Sequence, residues 1–255
     1  MASADYLYQL IFFNSIWKKI KRNSSVAYSE IYGHWYLVAV HWICFFGSAK
    51  LANASVALIC MATASFFTAF LEPLFFKTKI QFYEILLALM VIPGMMLIVN
   101  NIDAKMNWGI IVGLISSFLA SLFGVLNKKY INDADPKTIT FLELGSGWLF
   151  ISLVLPFFFS SEPNAAFMPV DMDWAYLLFL ALACTTLAYV ISLRALKHIS
   201  AFNSMLTYNL EPVYGIFMAY FLLGEKLPAG FYWGVLIILG AVFLYPFLKK
   251  EKKEA

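Results

Sequence analysis

Residues 201–248 read AFNSMLTYNLEPVYGIFMAYFLLGEKLPAGFYWGVLIILGAVFLYPFL and contain two long apolar stretches separated by a short polar segment. The stretches are Ala201–Gly224 and Gly230–Leu248, and the segment between them carries Glu225 and Lys226. A helix that crosses the hydrocarbon of a bilayer, about 30 Å thick, needs about 20 mostly apolar residues. Both stretches come close enough to that length, so this part of the chain predicts two membrane-spanning helices joined by a polar loop.

The composition of the whole chain agrees with this prediction. Of its 255 residues, 62% are hydrophobic and only 13% are charged, whereas an average soluble domain is about 45–50% apolar and about 25% charged. So little charge cannot cover a soluble globule of this size, which excludes a soluble enzyme, a nucleic-acid-binding protein and a disordered chain. The three cysteines lie far apart inside apolar stretches and form no CxxC pair, so we expect no metal ligand set, no cofactor and no disulfide framework.

Eight stretches in all are long and apolar enough to span a membrane as helices. They are Tyr32–Ala49, Ser55–Phe76, Tyr83–Val99, Asn107–Tyr130, Thr138–Phe159, Trp174–Leu196, Ala201–Gly224 and Gly230–Leu248. A ninth apolar stretch, Tyr6–Trp17, has only 12 residues and is too short to span unaided. We therefore expect an all-α polytopic membrane protein with eight full transmembrane helices and a short N-terminal partial helix.

The basic residues are unevenly distributed between the two sides of the membrane that these spans define. If the segment before the first span is cytoplasmic, 15 of the 18 Lys and Arg residues fall on the cytoplasmic side, and 3, namely Lys50, Lys105 and Lys226, fall outside. Cytoplasmic loops of membrane proteins hold the excess of Lys and Arg. The split predicts that the KKIKR cluster at residues 18–22 and the C-terminus are cytoplasmic, in a cell membrane that we expect to be a bacterial inner membrane.

The chain also shows a faint internal repeat at an offset of 147 residues. At this offset Lys50 falls on Lys197, and the spans Ser55–Phe76 and Tyr83–Val99 overlie the two stretches quoted above. By the charge distribution Lys50 is outside and Lys197 is cytoplasmic, so the two copies have opposite topology. Such inverted repeats are common among membrane transporters, and here they predict two five-helix units.

The two copies are unequal in length. The second holds five spans and the first holds three complete ones, so we expect residues 1–101 to form an incomplete first repeat and residues 102–255 a complete second repeat with a basic cytoplasmic tail. Mapping the second copy back places one span over much of Tyr6–Trp17 and another before Met1. The first helix and about half of the second are therefore expected to be missing, through a misplaced start codon or a real truncation.

Several short motifs follow one another in the last third of the chain. They are Ala195-Leu196-Lys197 followed by Ala201, then Leu210-Glu211-Pro212-Val213, then Leu223-Gly224-Glu225-Lys226-Leu227, and the glycine-bearing last span. Together they resemble the second repeat of the EamA-type drug/metabolite transporter family, over roughly residues 32–248. The resemblance implies ten helices in two inverted five-helix halves, a central cavity between them, and export or exchange of small metabolites. The first repeat departs from the pattern, with KTK at residues 77–79 where the second has GEK at 224–226.

Glu211 is the strongest candidate for a transport site, because ionisable groups deep in a bilayer cost about 2.5–3.5 kcal/mol each on insertion scales. It lies ten residues into its span, about 15 Å deep at 1.5 Å per residue. Pro212 follows and lacks an N–H, so the carbonyl of Tyr208 loses its helical donor and the helix should kink. The polar neighbours within one turn are Thr207, Tyr208, Asn209 and Tyr214. The alternative is that Glu-Pro is a packing feature, with Glu211 hydrogen-bonded between helices.

Three further groups are weaker candidates. Glu143 lies five residues into its span and either lines the pathway or reaches the interface. Glu72 lies four residues from the cytoplasmic end of its own span, which favours the interface. His41 lies near the middle of the first span, where it either relays protons or is a hydrogen-bonded core histidine.

Small residues recur on one helix face. Gly109, Gly113, Ser117 and Ser121 follow one another at a spacing of four. Such ladders allow helices to approach closely, so we expect packing against another span of the fold, with a dimer face as the alternative. The expected state is a monomer or a homodimer.

Three function classes follow from these observations. The first is a secondary carrier that works by alternating access, with a small-molecule substrate, the lipid bilayer and a possible coupling proton as partners and no nucleic acid. The second is a non-transporting membrane scaffold, or an inactive fragment. The third, an intramembrane enzyme, is disfavoured because no nucleophile–base or metal motif occurs. The pathway candidates include no deep cation, which argues against a multiply anionic substrate and leaves neutral, zwitterionic and cationic metabolites.

Overall fold

The computed structural model of the protein describes residues 35–98, 106–161, 168–223 and 230–249. Within these ranges the chain is helical and contains no β-strand, so the all-α prediction is confirmed for them. The helices are α1 Trp35–Leu51, α2 Ala54–Ala62, α3 Ala64–Phe76, α4 Phe82–Ile98, α5 Asn107–Tyr130, α6 Pro136–Ser161, α7 Asp173–Phe179, α8 Ala188–Leu196, α9 Ala201–Tyr208, α10 Glu211–Leu223 and α11 Phe231–Leu248. A π-helical segment, Leu180–Leu187, joins α7 to α8 without a break.

Five helical stretches in the described ranges are long and apolar enough to cross a membrane. They are Val56–Phe76, Asn107–Tyr130, Pro136–Phe157, Asp173–Leu196 and Phe231–Leu248, and each coincides with a predicted span. The predicted spans Tyr32–Ala49 and Tyr83–Val99 correspond to the shorter apolar helices α1 and α4. The predicted span Ala201–Gly224 is divided into α9 and α10. The partial helix expected over Tyr6–Trp17 and the KKIKR cluster lie outside the described residues.

The described residues divide into two compact units. The first contains the start of α1, up to Ala39, together with Tyr130–Lys197; the second contains Val40–Lys129 and the residues from His198 onward. The boundaries of these units do not coincide with those of the sequence repeat, because the second unit combines spans of both copies.

In the second unit, α4 and α11 pack closely along each other, and two glycines meet at their contact. A Cβ on Gly94 would lie 3.1 Å from side-chain atoms of Ile237 and Ile238 and 3.3 Å from the carbonyl oxygen of Gly234. A Cβ on Gly234 would in turn meet the carbonyl oxygen of Gly94. The side chains around this contact form one apolar core, which includes the fully buried Val91, Phe202, Leu206, Ile238 and Ala241.

The ladder of small residues on α5 faces other helices of the same unit. A Cβ on Gly113 would lie 2.7 Å from Oγ of Ser48, and the hydroxyl of Ser121 donates to the carbonyl of Ala64 over 2.8 Å. The hydroxyl oxygens of Thr63 and Ser117 lie 2.9 Å apart. The ladder is therefore packed inside the fold, as the sequence predicts, and is not left open as a dimer face.

The π-helical segment has its own side-chain support. The hydroxyl of Thr185 donates to the carbonyl of Leu180 over 2.9 Å, and that of Thr186 donates to the carbonyl of Ala181 over 2.8 Å. Both bonds reach back five residues, which matches the wider turn of a π-helix. Threonine hydroxyls therefore satisfy carbonyls of the widened turn.

The end of α3 adopts a conformation that usually selects glycine. Lys77 follows the helix with a φ of 53°, in the left-handed region, and its N–H donates to the carbonyl of Pro73. A side chain is disfavoured in this conformation, and glycine is the common residue at such helix ends. Lys77 occupies the position that Gly224 holds in the second copy of the repeat.

Candidate functional site

The helix that carries Glu211 is interrupted immediately before it. α9 ends at Tyr208, and the next two residues, Asn209 and Leu210, form a turn before α10 begins at Glu211. In this turn the N–H of Asn209 donates to Leu206 and that of Leu210 donates to Thr207, at 3.3 and 3.0 Å. These short-range bonds tighten the end of α9, as is common at helix termini. The interruption lies two residues before Pro212, and the proline stands in the first turn of α10, where its missing N–H costs no hydrogen bond.

Four of the sequence-predicted residues are exposed around this interruption. Glu211 is the first residue of α10, and Thr207 and Tyr208 end α9; all three side chains are exposed. Tyr214, one turn into α10, is 60% exposed. A carboxylate at the start of a helix is favoured by the partial positive charge of the unsatisfied N–H groups there. The interruption therefore presents a carboxylate, a hydroxyl and two phenols next to irregular backbone.

Asn209 has a different environment. Its side chain is only 5% exposed, and its amide donates to the carbonyls of Met205 and Leu206, at 3.2 Å in each case. Both acceptors belong to the last turn of α9, where the regular pattern of helical donors ends, and the carbonyl of Leu206 also accepts the backbone N–H of Asn209. Asn209 thus ends the helix by capping it from the side chain, and both of its amide bonds stay within its own helix.

Glu143 lies in the first unit and is hydrogen-bonded to a residue of another helix, Tyr189. The side chain is 5% exposed, and the hydroxyl of Tyr189 donates to its Oε2 over 2.5 Å. Tyr189 is the second residue of α8 and follows the π-helical segment directly. A weak signal for it exists in the sequence, because Thr185, Tyr189 and Ser192 recur at spacings of four and three in a mostly apolar stretch that also contains Thr186. π-helical turns are frequent at functional sites, which keeps this pair among the candidates.

His41 is bonded to the neighbouring helix. Its Nδ1 lies 2.9 Å from the carbonyl oxygen of Ser116, and the hydroxyl of Ser116, which is fully buried, donates to the carbonyl of His41 over 3.0 Å. The pair therefore links α1 to α5 within the second unit. These contacts are those of a hydrogen-bonded core histidine, the alternative that the sequence left open.

A second interrupted span lies in the first copy of the repeat. Thr63 separates α2 from α3, and both its N–H and its hydroxyl donate to the carbonyl of Cys60, over 3.0 and 2.6 Å. Residue 63 and residue 210 are 147 positions apart, the offset of the repeat. The interruption of the two spans thus falls at corresponding places. Proline does not explain the first one, since Pro73 lies ten residues further along the chain.

Carboxylates also gather at the end of the second unit that is predicted to be cytoplasmic. Glu72 accepts hydrogen bonds from the N–H groups of Ala201 and Phe202, and Glu84, 8% exposed, is hydrogen-bonded to Tyr245. Lys249 interacts electrostatically with both carboxylates. In the described ranges, no group of three or more His, Cys, Asp and Glu side chains is arranged to hold a metal ion.

A chain of this kind, which is all-helical in its described part and has five helical stretches there that are long and apolar enough to cross a membrane, is a multi-pass membrane protein. Its sequence matches the model of the EamA-like transporter family over residues 107–246, which is more than half of its length. The chain belongs to this family, and the family's members are membrane transporters rather than enzymes. The family assignment from the motifs between residues 195 and 227 is thereby confirmed.

Two individual comparisons agree with the assignment. "Uncharacterized transporter YyaM" of Bacillus subtilis (strain 168) is 24% identical over 250 residues, which cover 95% of this chain and 80% of that protein. A protein of known crystal structure is similar with a TM-score of 0.73 at 12% identity, over 88% of this chain and 77% of the other. At that identity the structural likeness shows the fold alone.

Proposed function

We propose that the protein is a secondary transporter that exports or exchanges small metabolites by alternating access between two inverted repeats. The observation that carries this proposal is the interrupted helix at Asn209 and Leu210, with Glu211 exposed at the start of the following half-helix. Secondary transporters commonly build their sites from discontinuous helices near the middle of the membrane, where half-helix ends and irregular backbone meet the substrate or the coupling ion. The family assignment supports transport as such.

The corresponding interruption at Thr63 supports the inverted repeat. A helix with a defined interruption bends there at low cost, because the regular i to i−4 hydrogen bonds are already absent at that point. One such joint in each copy permits the outer and inner halves of the two spans to move separately. Alternating access needs a movement of this kind, in which one side of the site opens as the other closes.

The chemistry around the interruption supports a proposal for the substrate class. Residues 201–223 contain one carboxylate, Glu211, and no Lys or Arg. A multiply anionic substrate would meet an uncompensated negative charge there, at a depth where unpaired charge is costly. We therefore propose neutral, zwitterionic or cationic metabolites, whose hydroxyl and ammonium groups find acceptors in Glu211 and Thr207 and an aromatic face in Tyr214.

The distribution of basic residues supports a proposal for the orientation. With 15 Lys and Arg residues on one side and 3 on the other, we propose a bacterial inner-membrane protein with a cytoplasmic C-terminus. A green fluorescent protein fused to the C-terminus folds and fluoresces only in the cytoplasm, whereas alkaline phosphatase is active only outside. Fluorescence without phosphatase activity is the expected result, and the opposite pattern would refute this orientation.

The transport proposal is tested by comparing the metabolites that cells release. Bacteria that express the wild-type chain, the Glu211→Gln variant or an empty vector are grown in the same medium, and the medium is analysed by untargeted mass spectrometry. We expect at least one small neutral, zwitterionic or cationic compound to accumulate with the wild type and to fall to the vector level with Glu211→Gln. Asp173→Asn is the matched control, because it also removes one carboxylate but at an exposed loop-proximal position.

The outcomes separate the candidate functions. Loss of accumulation in Glu211→Gln with retention in Asp173→Asn supports a role for Glu211 in transport. Equal release by the wild type and the empty vector, with the protein present in the membrane, would contradict transport and favour the non-transporting scaffold. Equal release by the wild type and Glu211→Gln would remove Glu211 from the site.

A further inference from the structure

The beginning of α9 is held by a carboxylate from another span. Oε1 of Glu72 lies 3.2 Å from the backbone nitrogen of Ala201, and Oε2 lies 2.7 Å from that of Phe202. The first N–H groups of a helix have no partner within the helix, and a negative charge next to them is stabilised by the helix dipole. Glu72 therefore uses both of its oxygens in charge-assisted hydrogen bonds that join α3 to α9.

A second connection holds the same helix end. The hydroxyl oxygen of Ser200 accepts from the N–H of Asn203 over 3.1 Å and lies 3.0 Å from the hydroxyl oxygen of Tyr245. Tyr245 is 2% exposed and is also hydrogen-bonded to Glu84. α9 is thus tied at its first turn to α3 through Glu72 and to α11 through Tyr245.

The repeat makes the Glu72 contact asymmetric. At the offset of 147 residues, Asn53 corresponds to Ser200, and each caps its half-helix through the side chain, Asn53 by accepting from Val56 over 2.8 Å. The residue that corresponds to Glu72 is Ala219, which has no carboxylate. A bidentate carboxylate clamp of this type therefore belongs to α9 and to the end of the protein that is predicted to be cytoplasmic.

We infer that Glu72 is a positioning residue, a latch that holds the half-helix α9 against α3 at the cytoplasmic end and must be released for the protein to open toward the cytoplasm. This inference rests on the proposed function, because it assigns the latched arrangement to the state that is closed on that side. α9 begins at the latch and ends at the interruption beside Glu211, so a movement of its first turn is transmitted directly to the candidate site.

The test measures how readily water-soluble reagent reaches α9 from the cytoplasm. In the full chain, Cys44, Cys60 and Cys184 are replaced by alanine, and Ser204→Cys provides the reporter. Ser204 is one turn from the latch and 6% exposed, and its replacement is nearly isosteric. A charged, membrane-impermeant maleimide is added to inside-out membrane vesicles, where it reaches the cytoplasmic face, and the rate of labelling is measured.

We expect Glu72→Ala to raise the labelling rate about tenfold, since it removes both charge-assisted hydrogen bonds, and Glu72→Gln to raise it about threefold, since an amide keeps one acceptor without the charge. Asn53→Ala is the matched control. It removes the cap of α2, the half-helix that corresponds to α9 in the first copy of the repeat. α2 begins at the end of its span that is predicted to lie outside, so the labelling rate from the cytoplasmic face should stay at the background value.

Two results would overturn the inference in protein that remains monodisperse in detergent. One is an unchanged labelling rate in Glu72→Ala. The other is an equal increase in Asn53→Ala, which would show general loosening of the fold instead of release of one latch. The labelling assay needs no substrate, so its result does not depend on whether the metabolite comparison shows transport. Conversely, an unchanged labelling rate in Glu72→Ala would refute the latch and leave the metabolite comparison with Glu211→Gln unaffected.

Discussion

The contact of α4 with α11 gives the sharpest prediction on stability, through the replacement of Gly234 by alanine. The new Cβ would meet the carbonyl oxygen of Gly94 and would lie 2.5 Å from Cγ1 of Ile98 and 3.1 Å from its backbone nitrogen. Two of these three atoms are backbone, so the helices themselves must separate. Overpacking of this kind costs about 1–3 kcal/mol, and we expect a value near the upper end.

A second glycine on the same helix serves as the control. A Cβ on Gly240 meets no atom within 4 Å, so Gly240→Ala gains the better helix propensity of alanine, about 1 kcal/mol, without a clash. The same gain offsets part of the cost at Gly234. We therefore expect Gly234→Ala to lower the free energy of unfolding by about 2 kcal/mol and Gly240→Ala to raise it by about 1 kcal/mol.

The measurement is equilibrium unfolding of the purified protein in mixed micelles of dodecyl maltoside with rising fractions of sodium dodecyl sulfate, followed by far-ultraviolet circular dichroism. Gly94→Ala should fall between the two other variants, because the atoms nearest to its Cβ are side-chain atoms of Ile237 and Ile238 at 3.1 Å, which can move. If Gly234→Ala proved as stable as Gly240→Ala, the two helices would not meet at their backbones and the packing argument would be refuted.

Three further predictions use the same unfolding assay. Lys77→Gly should raise the free energy of unfolding by about 1 kcal/mol, because glycine adopts the left-handed conformation at a φ of 53° without strain. Lys77→Ala removes the same charge and should not raise it, so equal effects of the two substitutions would contradict this explanation. Asn209→Ala should lower the free energy of unfolding by about 1–3 kcal/mol, because the carbonyls of Met205 and Leu206 lose the donor that the side chain supplies. Asn209→Asp, which keeps the shape of the side chain without its N–H groups, should cost at least as much, and full stability of either variant would show that these donors are unimportant. Tyr189→Phe should lower the free energy of unfolding by about 1–3 kcal/mol, because the buried Glu143 loses the hydroxyl donor of Tyr189. A double-mutant cycle with Glu143→Leu should show that the two effects are not additive. Additive effects would mean that the two residues are not coupled.

The membrane spans could be predicted from the sequence because one property, the length of a continuous apolar stretch, decides them. Helices long enough to cross the bilayer must be apolar over about 20 residues, and the five long helices coincide with predicted stretches. The ladder from Gly109 to Ser121 was predictable for a similar reason, since close helix packing selects small side chains at a spacing of four. Its neighbours, Ser48 and Ala64, were not, because a spacing on one helix does not say which other helix fills it.

The interruptions of the two spans differ in how far the sequence reveals them. Pro212 leads to the expectation of a kink near Glu211, and the helix is interrupted at the two residues before Glu211. Nothing comparable in the sequence marks the interruption at Thr63. In the structure the hydroxyl of Thr63 donates to the carbonyl of Cys60 and lies close to the hydroxyl of Ser117. A threonine in an apolar stretch is compatible with an unbroken helix, and only the neighbouring α5 supplies the second contact.

The hydrogen-bond partners of the carboxylates could not be predicted from the sequence. Glu72 and Phe202 are separated by 130 positions, and no local pattern connects a carboxylate near the end of one span with the first turn of another. The sequence placed Glu72 near the end of its span and favoured a position at the membrane interface, but it did not indicate the N–H groups of Ala201 and Phe202 as its partners. Glu143 was identified as unusual because it is charged inside a span, yet its partner Tyr189 depends on how α6 and α8 face each other.

The π-helical segment Leu180–Leu187 has a consequence for changes in chain length. A π-helix holds about one more residue than an α-helix would over the same turn, so deletion of one residue there would leave a regular helix with α7 and α8 in nearly the same relative orientation. α7 buries none of its side chains, whereas α8 buries Leu193 and Leu196. Leu193 and Leu196 would therefore stay buried, and this segment is a place inside a membrane helix where evolution can insert or remove a residue without rebuilding the core.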